Sequence, residues 1–174
     1  MQHFGERKIA RGTESPPFYY QFEKMINKEH LKQQIAEHLS GSGIFLVDVK
    51  LSSTGRITVL IDRHEGVTID DCVSLSRWVA QELGDKAGDY ELNVSSPGLD
   101  MPFLVLEQYL KNEGRMVEVE DLNGVKQKGI LCCVTNGGFD LTVEKKVKGK
   151  VQETVVSHYN YDEIKSVKIV ISFK

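Results

Sequence analysis

The sequence predicts an α+β fold, with an αββαβ two-layer unit over residues 25–113 followed by a small closed all-β barrel over residues 114–174. Three observations predict it. Apolar residues recur at helical spacing in two N-terminal segments, and they alternate at period two in three others. From Arg115 onward the pattern is strand and turn only. Five short strands in that stretch favour a closed barrel, which removes exposed sheet edges.

Taken in order, residues 1–24 carry glycine, proline and charge without periodicity and contain no continuous apolar run. They read as a disordered leader or extension rather than a secretory signal, with Met25 as an alternative start. Asn27 is placed to cap a helix running to Ser40, with Leu31, Ile35 and Leu39 on one face and Gly41 and Gly43 as its stop. Phe45, Val47, Val49 and Leu51 then share one face of a strand that shows Asp48 and Lys50 on the other. Ser52-Ser53-Thr54-Gly55 forms the turn into a second strand, in which Ile57, Val59 and Ile61 alternate with Arg56, Thr58 and Asp62.

Thr68 opens the second helix, with Asp71 three residues on as a shortened capping box. Its expected buried stripe is Ile69, Cys72, Val73, Val79, Ala80 and Leu83, and Gly84 ends it. A third strand places Tyr90, Leu92 and Val94 inward and Glu91 and Asn93 outward. Two helices should therefore cover one face of a three-stranded sheet, since each element must bury its apolar side. Ser95-Ser96-Pro97-Gly98 breaks the pattern. Pro102 then opens a short helix carrying Leu104, Leu106 and Leu110, which ends near Gly114.

In the last third, Met116, Val117 and Val119 lead into Asn123-Gly124, a strong hairpin signal. Strands follow at 125–134, 139–147, 151–158 and 167–173, separated by Asn136-Gly137-Gly138, Lys148-Gly149-Lys150 and a short turn at 161–164. No internal repeat is visible.

Composition bounds the function. At 40% hydrophobic and 27% charged residues the chain falls among ordinary globular proteins, and no run of about 18 apolar residues is present to span a membrane. Cys72, Cys132 and Cys133 show no CxxC spacing, and adjacent strand cysteines point to opposite faces, which suits reduced cytosolic thiols rather than a metal site. Net charge is −3, which argues against a generic nucleic-acid glue. Its distribution is uneven: residues 26–100 hold 7 basic and 12 acidic side chains, whereas residues 115–174 hold 10 and 8. A partner containing both RNA and basic protein would suit such a chain.

Two stretches carry a resemblance. The first runs Ile61-Asp62-Arg63-His64-Glu65-Gly66-Val67-Thr68-Ile69-Asp70-Asp71-Cys72, with Ser76-Arg77 beyond it. The second is Leu92-Asn93-Val94-Ser95-Ser96-Pro97-Gly98-Leu99-Asp100. Both resemble the signatures of the RimP family of ribosome maturation factors, and the C-terminal part is similar in architecture and in the Tyr161-Asp162-Glu163-Ile164 segment, and more loosely in its other residues. One departure is Met101, where the family usually has arginine; if that arginine touches phosphate, one charge-assisted contact is lost here. The resemblance implies an α/β N-terminal domain and an SH3-like or Sm-like C-terminal barrel. It implies binding to free small (30S) subunits before they join large ones; a cytoplasmic monomer is the expected form. The implied contacts are 16S rRNA and a small-subunit protein near the decoding centre, with no catalysis and no cofactor.

Candidate residues follow, each with two readings. Ser95, Ser96, Pro97, Gly98, Leu99 and Asp100 form a loop stiffened by Pro97 and Pro102, with Gly98 free to take positive φ. It is either a rigid docking element for the subunit or a joint seating the third helix on the sheet, with Asp100 as its cap. Asp70 and Arg77 lie two turns apart on one helix face and either flank a phosphate-contacting surface or simply solvate the helix. Lys145, Lys146, Lys148 and Lys150 crowd one hairpin end, either as a solubilising edge or as a basic finger on the RNA backbone. Trp78, Phe139, Tyr159 and Tyr161 could stack on bases, but core or rim packing suffices for them. Catalytic patterns are missing: the five histidines lack metal-ligand spacing, and there is no GxSxG, GxGxxG or P-loop. A KH-type or Sm-type RNA-binding module is the alternative, but its KH form wants a GxxG clamp the chain lacks.

Overall fold

Helix α1 (Lys28–Leu39) begins where the Asn27 side chain accepts hydrogen bonds from the Glu29 and His30 amides at 3.0 and 3.1 Å, satisfying two of the donors a helix start leaves orphaned. The computed structural model describes residues 26–145 and 153–171. Leu31, Ile35 and Leu39 are buried as their four-residue spacing predicts. They pack onto a three-stranded sheet of β1 (Ile44–Leu51), β2 (Arg56–Arg63) and β3 (Glu91–Ser95), in the order β1-β2-β3. β1 and β2 form an antiparallel hairpin; β3 runs parallel to β2 after the crossover through α2 (Ile69–Leu83).

Two details of this unit depart from the alternation in the sequence. In β1 the pairing steps from Leu46↔Ile61 to Asp48↔Leu60, so Val47 is an extra residue in a bulge. Ile44 and Leu46 face the helix-side core before it, and Val49 and Leu51 after it, so Phe45 and Val47 do not share a face with Val49. In α2 the buried centre is Leu75 and Val79, flanked by Cys72, Trp78 and Leu83. Ile69 is 82% exposed and Val73 39%, because a neighbouring stripe one residue around the helix wins the sheet.

The second sheet holds β4 (Met116–Asp121), β5 (Lys126–Cys132), β6 (Gly138–Lys145), β7 (Glu153–Asn160) and β8 (Ile164–Ile169), in the order β7-β6-β5-β4-β8. All its pairs are antiparallel. The chain is thus α+β, with an α/β N-terminal part and an all-β C-terminal part. The expected closed barrel is an open sheet in its hydrogen bonding. A single 3₁₀ turn, Tyr161–Glu163, carries the chain from β7 to the far side of β4, and among the described residues no ladder joins β7 to β8. The core on its inner face is Val117, Val119, Leu131, Phe139, Leu141 and Val167.

Helix α3 (Leu106–Lys111) connects the sheets and differs from expectation. It starts at Leu106 rather than Pro102, because the Gln108 side-chain oxygen accepts the Leu104 and Val105 amides and holds that entry extended. Leu104 and Leu110 are exposed, whereas Gln108 and Tyr109 are buried. Phe103 and Tyr109 belong to the second core, with ring centroids 5.1 Å apart, edge to face.

Candidate functional site

The two sequence stretches singled out above meet at one place. A cleft of about 270 Å³ lies where the C-terminal ends of β2 and β3 meet α3 and β8. Asp62, Gly66 and Val67 line it from the first stretch; Ser96, Pro97, Gly98 and Leu99 line it from the second. Parallel β2 and β3 bring them together, since Leu60 pairs with Ser95 and both strands end on the same edge. The opposite wall is Met101, Phe103, Gln108, Lys111, Asn112, Arg115 and Ile169.

A buried ion pair crosses the base. Lys111 Nζ on α3 lies 2.7 Å from Asp62 Oδ1 on β2, with side chains only 15% and 11% exposed. Both charges are largely shielded although they line the cleft, so each relies on the other for compensation. Asn112 is 3% exposed and its amide nitrogen donates to the Gln108 carbonyl at 2.7 Å, while its Oδ1 has no partner among the described residues. The rim is set by backbone. Gly66 holds φ +94° in the turn after β2 and donates its amide to the Arg63 carbonyl. Arg63 in turn bridges to Asp71 at 3.2 Å and to the Ser42 carbonyl. Asp71 completes the capping box with Thr68; the hydrogen bonds from Thr68, backbone first, hold its carboxyl below the usual range.

Ser96, Pro97, Gly98 and Leu99 do share the cleft; Ser95 ends β3, and Asp100 follows in the turn that Met101 closes onto the Gly98 carbonyl. Asp100 is not a helix cap, because α3 starts six residues later. Gly98 does not take positive φ; a Cβ there would meet Asp100 Oδ1 at 2.6 Å, but that is the free end of an exposed side chain, which can turn aside. Asp70 and Arg77 sit exposed on α2 and do not line the cleft. Of the basic hairpin, Lys146, Lys148 and Lys150 lie outside the described residues, and Lys145 is described only as the last backbone position of β6. Trp78 stacks on His38, ring centroids 4.0 Å apart, against the first core, and Phe139 is fully buried.

Missed altogether were Lys111, Gln108 and Asn112. Their only signal was polar spacing at i, i+3 and i+4 on a helix whose leucines suggest an apolar face. Ser96 shares the cleft with the Asp62–Lys111 pair, and among the described residues no three histidine, cysteine or carboxylate side chains converge on one point. Cys72 is pushed up in pKa by burial, which keeps it a thiol.

Comparison with known proteins fits this geometry. Residues 34–100 match the family model described as the RimP N-terminal domain, so both cleft stretches fall inside the match. The chain is 36% identical over 124 residues to a protein of Porphyromonas gingivalis named ribosome maturation factor RimP, covering 71% of this chain and 82% of that one. Proteins of the same name from Flavobacterium psychrophilum and Christiangramia forsetii are 31% and 30% identical, covering 84% and 83% of this chain and 96% of each relative.

Proposed function

We propose that this chain, which belongs to the RimP family of ribosome maturation factors, binds free small ribosomal subunits in the cytoplasm and promotes their maturation without catalysis. The observation that carries this reading is the convergence of the two family stretches on one cleft at the junction of the two sheets. A stiff, proline-bracketed loop beside a shielded ion pair offers a fixed shape for recognition. The chain works as a monomer of two units, residues 25–113 and 114–174. Its acidic first unit suits a basic small-subunit protein and its weakly basic second unit suits 16S rRNA, with Lys145, Lys146, Lys148 and Lys150 as a basic finger on the backbone. A ligand shifts an equilibrium only by its differential affinity for the two states, so maturation follows if the chain binds one rRNA arrangement more tightly than its competitors.

Sedimentation of lysate through a sucrose gradient tests this. The chain is expected with free small subunits and absent from joined ribosomes, and Gly98→Val, which puts a branched side chain on the cleft wall, is expected to release it while remaining folded. Normal subunit ratios and normal 16S precursor processing in cells lacking the gene would refute the function.

A further inference from the structure

Outside the cleft, the strongest organised feature is the outer face of the second sheet. There two glutamates of β4 stand between four lysines of its neighbours. Glu118 lies 3.8 Å from Lys126, 3.6 Å from Lys128 and 3.8 Å from Lys168. Glu120 lies 3.6 Å from Lys126 and 2.6 Å from Lys165. Strand register builds this ladder: Lys128 pairs across from Glu118 and Lys126 from Glu120, while Lys168 pairs with Glu118 from the other side. A register shift between β4 and β8 at Glu120 and Asp121 makes Lys165 an extra residue on β8 and brings it to Glu120.

Depth separates the charges. Glu118 and Glu120 side chains are 16% and 18% exposed, whereas those of Lys126, Lys128, Lys165 and Lys168 are 53%, 60%, 63% and 41% exposed. The carboxylates lie against the sheet and the ammonium groups form the outermost layer. Only Lys165 is within hydrogen-bond distance of a carboxylate; the other three stand at 3.6 to 3.8 Å, near enough to be held in place and with donors left for another acceptor. β4 and β5 are interior strands, so Lys126 and Lys128 are not the edge charges that deter strand addition. Lysines two apart on a strand stand about 6.8 Å apart. The face is therefore a regular cationic grid, with a net charge of two positives.

We propose that this β4–β5–β8 face binds the phosphate backbone of ribosomal RNA, through Lys126, Lys128, Lys165 and Lys168, with Glu118 and Glu120 beneath them holding the net charge of the face to two positives. The proposal rests on the small-subunit reading above and adds to it a second contact surface, distinct from the cleft and from the basic hairpin.

The test uses the full chain and small subunits purified from cells lacking it. Dissociation constants are measured at several salt concentrations for the wild type and for the quadruple variant Lys126→Gln, Lys128→Gln, Lys165→Gln, Lys168→Gln. The logarithmic salt slope is expected to flatten by about 1.4 to 3.6, the lower figure counting only the net charge over single-stranded RNA and the upper every lysine over a duplex. Glu118→Gln is expected to act in the opposite sense, raising affinity by roughly two- to fivefold as it removes a negative charge beside the contact. Hydroxyl-radical footprinting should show a stretch of rRNA backbone that the wild type protects and the quadruple variant leaves open. Wild-type binding with the same affinity and slope in the variant overturns the face and leaves the small-subunit reading standing. Lost affinity with an unchanged footprint assigns the face to a ribosomal protein and also overturns it. A wild type that fails to bind the subunit overturns both.

Discussion

Lysine–carboxylate pairs serve two different ends in the two halves of this molecule. At the junction, Asp62 and Lys111 are mostly shielded from water, and each is the other's main compensation. On the second sheet, Glu118 and Glu120 share four lysines whose ammonium groups stay wet. A buried pair makes the structure depend on both partners, because a lone charge at that depth has nowhere to go. An exposed pair adds little to stability and leaves its cation available. Burial thus divides one chemistry into a structural rivet and a contact surface.

The largest effect should come from the core beneath the exposed ladder. Phe139→Ala removes a fully buried ring and should cost about 4 kcal/mol. Trp78, the only tryptophan, sits in the first unit, so its fluorescence transition in denaturant should lag behind the loss of β signal by circular dichroism. Coincident transitions would show that the junction couples the two sheets into one cooperative whole.

Lys111→Ala should come next, at about 3 kcal/mol, since it strands Asp62 in the junction. Urea unfolding measures this. The double change Asp62→Leu with Lys111→Met should recover most of the loss, because an apolar pair leaves no charge unpaired. If the double variant were no better than the single, the loss would come from packing rather than from the orphaned carboxylate.

By contrast, Lys128→Gln should move stability by less than about 0.5 kcal/mol in the same measurement, as an exposed pair allows. An effect the size of that at Lys111 would erase the distinction between the two regions.

The smallest effect concerns pH. His158 on β7 lies 2.7 Å from Asp140 on β6, and that hydrogen bond raises its pKa above the ordinary 6.5. A raised pKa in the folded state gives stability that is fully present below the ordinary value and lost as pH rises through the folded one. Thermal melts from about pH 6 to 8 should therefore show a slight fall for the wild type that His158→Gln lacks. An identical fall in the variant would assign it to another group.

Which features were legible in the sequence follows from which forces are local. Asn27 and Thr68 cap their helices because a cap needs only residues three positions apart. The three N-terminal strands and the first strands of the second sheet appear close to where the apolar pattern puts them, and the Pro97 loop is where the pattern breaks; the last strand starts at Ile164, three residues before the expected Val167. These depend on chain-neighbour sterics and on hydrophobic spacing, which a sequence carries in full.

What the sequence left open was decided by partners far along the chain. The Val47 bulge turns on how β2 pairs with β1, and the burial of Leu75 over Ile69 on which stripe the sheet accepts. Lys111 is just a polar residue on a short helix until the fold sets it 2.7 Å from a carboxylate 49 positions earlier. The lysine ladder is likewise invisible until β4 is placed between β5 and β8. Periodicity tells each segment which side is apolar, but only packing decides what that side, or its opposite, will meet.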